Sequence, residues 1–302
     1  MTTNEKNSRY LIVSDLDGTL LNNKGELDQL TIKVVKKLIN NGHIFCILTG
    51  RPIETSLPIY RQLGLKHLLS NHNGSCIWHP CNPAFKTINF CFSYDVIARV
   101  FSNKKVLNVF KKTVKNLVLL NNNGTYMLKM PKTRSEKEWY FNKLHIHDEG
   151  HLFKISDDFS NIINTDVRIL FIILNDTSKF EEIMYYLHLY SDTLTIHLWR
   201  ENVNGAVLEI NSQFACKGKS LEFLSSYYGI NLDRCLSFGD GDNDVEMLKP
   251  SCHSFAMKNA TDAAKVYARY ITKYDNDNCG VAKELINFFD LKGFSNKKAK
   301  NG

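Results

Sequence analysis

Residues 10–19 read Tyr-Leu-Ile-Val-Ser-Asp-Leu-Asp-Gly-Thr, an apolar run that ends in two carboxylates. The run shows little alternation between apolar and polar residues, which predicts a strand covered on both faces. Asp15 and Asp17 therefore follow the carboxyl end of a strand, where open α/β sheets bind ligands. Crowding two carboxyls favours one ionised and one protonated group, which suits a nucleophile and an acid. The motif alone is equally compatible with an acidic turn or part of a calcium loop.

Four further apolar runs of the same character predict a parallel sheet, and they lie at 44–48, 68–70, 235–238 and 270–272. Between the first two predicted strands, Leu30, Val34 and Leu38 form a stripe on one helix face, and Gly42 follows where a helix would end. A similar helix and strand recur after residue 215. The predicted fold class is α/β, with a doubly wound, Rossmann-like parallel-sheet core.

The middle of the chain has a different pattern. Asn123-Gly124 and Asn204-Gly205 each lie between apolar runs, which is a strong signal for a β-hairpin. Helix-like stretches precede both hairpins, at 96–115 and 180–189. We therefore expect residues 84–212 to form an inserted α+β domain, and residues 1–83 and 213–302 to form the core.

The composition is that of an ordinary globular protein of 302 residues, with 43% hydrophobic and 23% charged residues. Apolar runs are too short for a membrane span or a signal peptide, so we expect a cytoplasmic protein with reduced cysteines. The net charge of +7 is spread along the chain, which favours anionic small molecules over nucleic acid as partners. Four residues of the types that bind zinc lie close together in the sequence, but their spacing does not match a zinc site; they are Cys76, His79, Cys81 and Cys91.

The second predicted strand is followed by Thr49-Gly50-Arg51-Pro52. A hydroxyl, a flexible residue and a guanidinium at a strand end suit the binding of phosphoryl oxygens. The same residues also fit a plain strand-to-helix turn, with Thr49 as the cap and Pro52 at the first helical position. Both interpretations can hold at once.

Residues 239–244 read Gly-Asp-Gly-Asp-Asn-Asp and follow another predicted strand. Two carboxylates 4 Å apart repel by roughly 4 kcal/mol at an effective dielectric constant near 20, and a hard divalent cation would relieve this repulsion. Oxygen ligands without His or Cys favour magnesium over zinc. Lys217 lies shortly before this strand and could place a cation beside a phosphate. Judged by composition alone, it is equally typical of a surface lysine.

In this order and spacing, the motifs at 15–19, 49–51, 217–218 and 239–244 resemble those of haloacid dehalogenase superfamily phosphatases. The insertion resembles the C2-type cap of the Cof-like (type IIB) subgroup. The resemblance implies that Asp15 is a nucleophile that becomes an aspartyl-phosphate, and that Asp17 is the acid and later the base. The residues implied to bind the phosphoryl group or the substrate are Thr49, Gly50, Arg51, Lys217 and Asn243.

The resemblance also implies a Mg²⁺ site formed by Asp15, the backbone carbonyl of Asp17, Asp240 and Asp244. An acid at position 17 favours phosphatase over dehalogenase chemistry, because a leaving oxygen needs a proton. We therefore expect a magnesium-dependent phosphomonoester hydrolase that acts on small phosphorylated metabolites. Among these, sugar phosphates are the favoured class of substrate. Two alternatives remain at this stage, a phosphomutase of the phosphomannomutase type and a non-catalytic phosphate- or nucleic-acid-binding protein.

Overall fold

The computed structural model describes residues 9–121, 124–144, 152–155, 166–175, 177–178, 180–189, 192–202 and 205–294. The chain divides into two compact units, of which the first comprises Met1–Thr87 and Cys216–Gly302 and the second comprises Ile88–Ala215. The second unit is thus an insertion in the sequence of the first. Within the described residues, no helix is long and apolar enough to cross a bilayer.

A largely parallel sheet forms the centre of the first unit. Its strands, numbered along the chain, are β1 (Leu11–Ser14), β2 (Ile44–Leu48), β3 (Leu69–Asn71), β4 (Cys76–Trp78), β12 (Cys235–Gly239), β13 (His253–Ala256) and β14 (Tyr270–Ile271). Their order is β14-β13-β12-β1-β2-β3-β4. Only the β3–β4 pair is antiparallel. The predicted α/β class with a parallel-sheet core is confirmed.

Helices connect these strands, and they are α1 (Gln29–Asn40), α2 (Ile53–Leu63), α7 (Lys217–Tyr228), α8 (Val245–Leu248), α9 (Asp262–Tyr267) and α10 (Gly280–Phe289). Every residue of β1, β2 and β12 is buried, as a sheet covered on both faces requires. Helix α1 buries Val34, Val35 and Leu38 against this sheet, and Gly42 follows it with a φ of +90°. The predicted stripe and helix end are confirmed.

Strand β13 was not among the predicted strands. It lies between β12 and β14 and pairs Phe255 with Tyr270. The sequence did not indicate this strand because it contains polar residues. Ser254 is nevertheless fully buried, and its hydroxyl accepts a hydrogen bond from the Arg269 backbone N–H. A buried serine with a local partner looks like a loop residue when only the sequence is read.

The second unit contains the strands β5 (Ile88–Asn89), β6 (Val114–Asn121), β7 (Gly124–Met127), β8 (Leu152–Lys154), β9 (Ile169–Leu174), β10 (Leu194–Asn202) and β11 (Gly205–Ser212). Six of them form one sheet, in the order β10-β11-β9-β6-β7-β8. The pairs β6–β7 and β10–β11 are antiparallel, which confirms both hairpins. The turn residues 122–123 and 203–204 lie outside the described residues.

The helices of this unit are α3 (Tyr94–Ser102), α4 (Lys104–Thr113), α5 (Arg134–Leu144) and α6 (Phe180–His188). The helix-like stretch expected at 96–115 is helical but divided into α3 and α4, because Asn103 takes an extended conformation and its side chain caps α4 by accepting from the Lys105 and Val106 N–H groups. Strand β6 then begins at Val114. Alternate residues of β9 pack into different apolar clusters, with Ile172 in one and Phe171 in the other. The sheet therefore has an apolar layer on each face.

Candidate active site

Three loops leave the same edge of the parallel sheet. The first residues beyond β1 and β2 continue the backbone ladder, since Asp15 N–H donates to Phe238 at 3.0 Å and Thr49 N–H donates to Ser70 at 3.0 Å. Asp240 follows the last residue of β12. Because the strands β1, β2 and β12 are parallel, these three residues lie together at their carboxyl ends. The loops that carry the motifs at 15–19, 49–51 and 239–244 therefore meet at one edge of the sheet.

Gly18 allows the first loop to approach the third. It has a φ of +70°, and a Cβ atom added to it would lie 2.2 Å from Asp240 Oδ2. The next residue, Thr19, donates its hydroxyl to Asp240 Oδ1 at 2.7 Å. Any side chain at position 18 would be strained in backbone conformation and would displace the Asp240 carboxylate. Gly18 and Thr19 thereby hold this carboxylate in place.

Lys217 and two aspartates form a buried ionic cluster. The Lys217 side chain is fully buried, and its Nζ donates to Asp15 Oδ1 at 2.7 Å and to Asp244 Oδ1 at 2.6 Å. The other Asp244 oxygen accepts from the backbone N–H groups of Asp240 and Gly241, at 2.8 and 2.9 Å. Asp244 thus fixes both the ammonium and the loop that carries Asp240. Lys217 opens α7 and is not a surface lysine.

The electrostatic balance of the cluster is negative, since three carboxylates surround one ammonium. Burial raises the pKa of the Asp15 carboxyl to about 8, because the opposing effect of Lys217 is offset by repulsion from Asp244 and Asp240. Burial is likewise the main cause that raises the pKa of Asp240 to about 6. For Lys217, burial opposes the charged form, but Asp15 and Asp244 outweigh it and raise its pKa. The ammonium stays charged, whereas Asp15 is short of positive charge.

The same carboxylates could hold a metal ion. One oxygen from each of Asp15, Asp240 and Asp244 lies within 4.8 Å of the others. Within the part of the chain that the structure describes, these aspartates are the group of three or more His, Cys, Asp or Glu side chains found close enough together to hold one metal ion. A hard divalent cation fits these residues, because the donors are all oxygens and the three carboxylates share a single ammonium, that of Lys217.

Asp17 lies apart from this trio of side chains. Both its oxygens accept from Arg51, with Nε to Oδ2 at 2.7 Å and Nη2 to Oδ1 at 2.5 Å. The Asp17 side chain is 56% exposed and that of Arg51 is 17% exposed. The hydrogen bonds that Arg51 donates to Asp17 are the main cause that raises the pKa of the Arg51 guanidinium. Arg51 therefore contacts the predicted acid directly, which the sequence did not predict.

The remaining predicted residues meet beside the second loop. Thr49 is buried and its hydroxyl accepts from the Arg51 N–H at 3.0 Å. Asn73, which has a left-handed φ of +53°, accepts from the Asn243 side-chain amide at 2.9 Å. A Cβ atom on Gly50 would lie 3.2 Å from this Asn73 oxygen. Asn73 thus links the second motif to the fourth.

Sequence reasoning missed one residue that supports the first loop. Asn276 is buried, and its amide donates to the Leu21 carbonyl and to Asn23 Oδ1, both at 3.0 Å. Its backbone N–H donates to Asn259, whose own amide donates to the Gly18 carbonyl at 2.8 Å. Asn276 lies in a polar stretch that is typical of a surface turn, so the sequence carries no signal for this role.

With this geometry established, comparison with known proteins identifies the family. A family model described as haloacid dehalogenase-like hydrolase matches residues 12–285. The chain belongs to this family. The match spans both units and all four motifs, so the predicted family and its hydrolase class are confirmed.

The relatives of this haloacid dehalogenase-like hydrolase are phosphatases. Two proteins of Bacillus subtilis are each named 5-amino-6-(5-phospho-D-ribitylamino)uracil phosphatase. One is 27% identical and the match covers 93% of this chain and 98% of the relative, while the other is 26% identical with 91% and 94% covered. A solved sugar phosphatase of haloacid dehalogenase subclass IIB has a TM-score of 0.70 and 19% identity, with 93% and 100% covered. The expected phosphatase-type enzyme and fold are confirmed.

Proposed function

We propose that this protein is a magnesium-dependent phosphomonoester hydrolase that acts on small phosphorylated metabolites through an aspartyl-phosphate intermediate. The observation that carries the proposal is the buried Lys217 ammonium bound to both Asp15 and Asp244. This contact fixes a carboxylate beside a cation at the carboxyl ends of parallel strands, where ligands bind in this class of sheet. Phosphoryl transfer needs mainly such positioning and charge neutralisation.

In the first step, Asp15 attacks the phosphorus and the ester P–O bond breaks. Its Oδ1 is held by Lys217, and among the described residues no group donates to Oδ2, which leaves that oxygen for the attack. An ammonium has three N–H groups, and Lys217 uses two of them on Asp15 and Asp244. The third can bind a phosphoryl oxygen. Thr49 and Asn243, on the neighbouring loops, would bind the others.

Asp17 supplies the proton that the leaving alkoxide takes up. In the second step Asp17 accepts a proton from water, which attacks the phosphorus, so that the Asp15–phosphate bond breaks and inorganic phosphate leaves. Asp17 is exposed and bound by Arg51, so it must turn away from the guanidinium to reach the leaving oxygen. The pair with Arg51 is then the arrangement between turnovers.

Asp15, Asp240 and Asp244 would hold Mg²⁺, with the Asp17 backbone carbonyl as a further oxygen ligand. When bound, the ion supplies the positive charge that neutralises the phosphoryl group and the carboxylates. The chain's contribution is to hold these oxygens together, through Thr19 on Asp240 and the backbone amides on Asp244. Oxygen-only donors support magnesium over zinc.

The names of the relatives support a sugar phosphate or a phosphorylated sugar alcohol as the substrate. Two relatives are named for a phosphoribitylamino compound, and a structure of the same fold is titled a sugar phosphatase. We propose the same substrate class here. We also propose that the inserted unit at about residues 84–212 acts as the substrate-specificity domain.

The test is phosphate release from sugar phosphates, nucleotides and an aryl phosphate, with magnesium and with excess EDTA. The wild type is compared with Asp15→Asn, a nearly isosteric change. Because asparagine keeps the size of the side chain and its oxygen can still accept from Lys217, this variant should keep its unfolding temperature in EDTA. We expect magnesium-dependent release that the variant loses.

Three outcomes would contradict the proposal. Hydrolysis retained in Asp15→Asn would show that Asp15 is not the nucleophile, and activity unchanged in EDTA would show that no metal ion is required. No release from any ester by the folded wild type would favour a mutase that lacks its sugar bisphosphate activator, or a binding protein.

A further inference from the structure

A second cavity in the first unit has no part in the site described above. It has a volume of about 360 Å³, within the range of roughly 300–1,000 Å³ that is typical of small-molecule sites. It is formed by the end of α2, the segment that follows it and the end of β4. The residues that line it are Leu57, Tyr60, Arg61, Gly64, Leu65, Lys66, Trp78, Pro80 and Cys81.

This cavity lies away from the carboxylate cluster. Helix α2 begins two residues after Arg51, and its residues that line the cavity run from Leu57 to Arg61, which at 1.5 Å per residue is about 6 to 12 Å beyond the start of the helix. Trp78 pairs with Leu69, the first residue of β3. The cavity therefore lies at the amino end of this parallel strand, whereas the catalytic loops leave the carboxyl ends.

Trp78 is the aromatic residue of the lining with accessible surface, since Tyr60 is only 1% exposed, and the polar atoms of both rings already have partners. The Trp78 indole N–H donates to Asn71 Oδ1 at 2.9 Å, and the Tyr60 hydroxyl donates to the His67 carbonyl at 2.7 Å. Both hydrogen bonds also fix the rings in place. A ligand would therefore meet rigid aromatic surface, which suits a planar ring.

The charged groups at this cavity are all cations. Arg61 and Lys66 line it, both are exposed, and a Cβ atom on Gly64 would lie 3.4 Å from Lys36. The lining contains no carboxylate, and within the described residues none of these three cations forms an ion pair. Three unpaired cations beside an aromatic wall attract an anion.

We propose that this cavity binds a small organic anion that joins a planar ring to a phosphate, the chemistry of a mononucleotide. The ring packs against the half-buried Trp78 indole, and the phosphate is bound by Arg61 and Lys66. Arg61 adds specificity, because its planar fork can bind two phosphoryl oxygens at once. This binding site is independent of the phosphatase reaction.

The test measures binding of adenosine monophosphate by calorimetry, with adenosine and ribose 5-phosphate as probes that lack the anion or the ring. The Asp15→Asn protein in EDTA is used, so that hydrolysis and metal-assisted binding are suppressed. The double variant Arg61→Ala/Lys66→Ala should bind about tenfold more weakly, the effect of losing two exposed charge contacts. Arg269→Ala/Lys292→Ala removes the same two residue types from exposed positions elsewhere and should bind normally.

A second readout uses the thiol at the cavity. All eight cysteines lie in the described residues, and Cys81 is the one classed as exposed. Adenosine monophosphate should slow its reaction with a thiol reagent, and Cys81→Ser should abolish the fast-reacting thiol. Equal affinity in the Arg61/Lys66 variant and its control would overturn the proposal, as would failure of the nucleotide to bind. Ribose 5-phosphate binding as tightly as the nucleotide would overturn the role of the ring.

Discussion

Replacing Lys217 by methionine should be severely destabilising. The side chain is fully buried and its ammonium contacts two carboxylates, at 2.7 and 2.6 Å. Methionine keeps most of the volume but leaves Asp15 and Asp244 buried without their cation. Removing one partner of a buried ion pair costs about 3–5 kcal/mol, and here one substitution breaks two contacts. We therefore expect a loss of at least this size in the free energy of unfolding at pH 8 without metal.

The assay is denaturant unfolding in EDTA, with Lys219→Met as the matched control. Lys219 lies on the same helix but is half-exposed, and its pair with Glu222 is a surface pair that contributes little to stability. The loss of unfolding free energy in Lys217→Met should become smaller towards pH 5, because the carboxylates of Asp15 and Asp244, left without their cation, can then take up protons. Equal unfolding midpoints for the two variants at pH 8 would refute the electrostatic account of the cluster.

Two further predictions concern the same carboxylates. Since the folded state raises the pKa of Asp15 to about 8, the folded protein keeps a proton that the unfolded chain has lost, so metal-free stability should fall as pH rises from about 6.5 to 8. Saturating magnesium, which keeps Asp15 ionised in the folded state, and Asp15→Asn should each abolish this slope, as thermal unfolding would show. Gly18→Ala places a Cβ atom 2.2 Å from Asp240 Oδ2, so its magnesium affinity in titration calorimetry should fall steeply. Gly42→Ala is the control, because its φ of +90° costs about 1–2 kcal/mol but nothing lies within 4 Å, and normal metal binding by both variants would contradict the steric argument.

The sequence was sufficient for the parts of the fold that depend on burial and on strand ends. A strand covered on both faces must be apolar, so β1, β2 and β12 were visible as runs, and parallel pairing brings Asp15, Thr49 and Asp240 to one edge. Those features are local patterns with a geometric consequence. They required no knowledge of which side chains finally touch.

Two features of the site that the sequence did not predict depend on contacts between residues far apart in the chain. Nothing near Asp17 indicates that Arg51 binds it, and nothing near Asn276 indicates that it supports the loop at Leu21. The division of α3 from α4 depended on a single capping residue, Asn103, inside an otherwise continuous apolar pattern. The contacts of Arg51 and Asn276 are supplied only by the folded chain, whereas Asn103 acts locally, by capping the two residues that follow closely in the sequence.

The central claim is that Asp15 carries the phosphoryl group during turnover. The most direct measurement is mass spectrometry of the protein after an acid quench of the reaction with its best phosphate ester and magnesium. We predict a single phosphoryl adduct on the peptide that contains Asp15, and none in Asp15→Asn. A wild type that turns over without any adduct on this peptide, or an Asp15→Asn protein that still releases phosphate, would contradict the account.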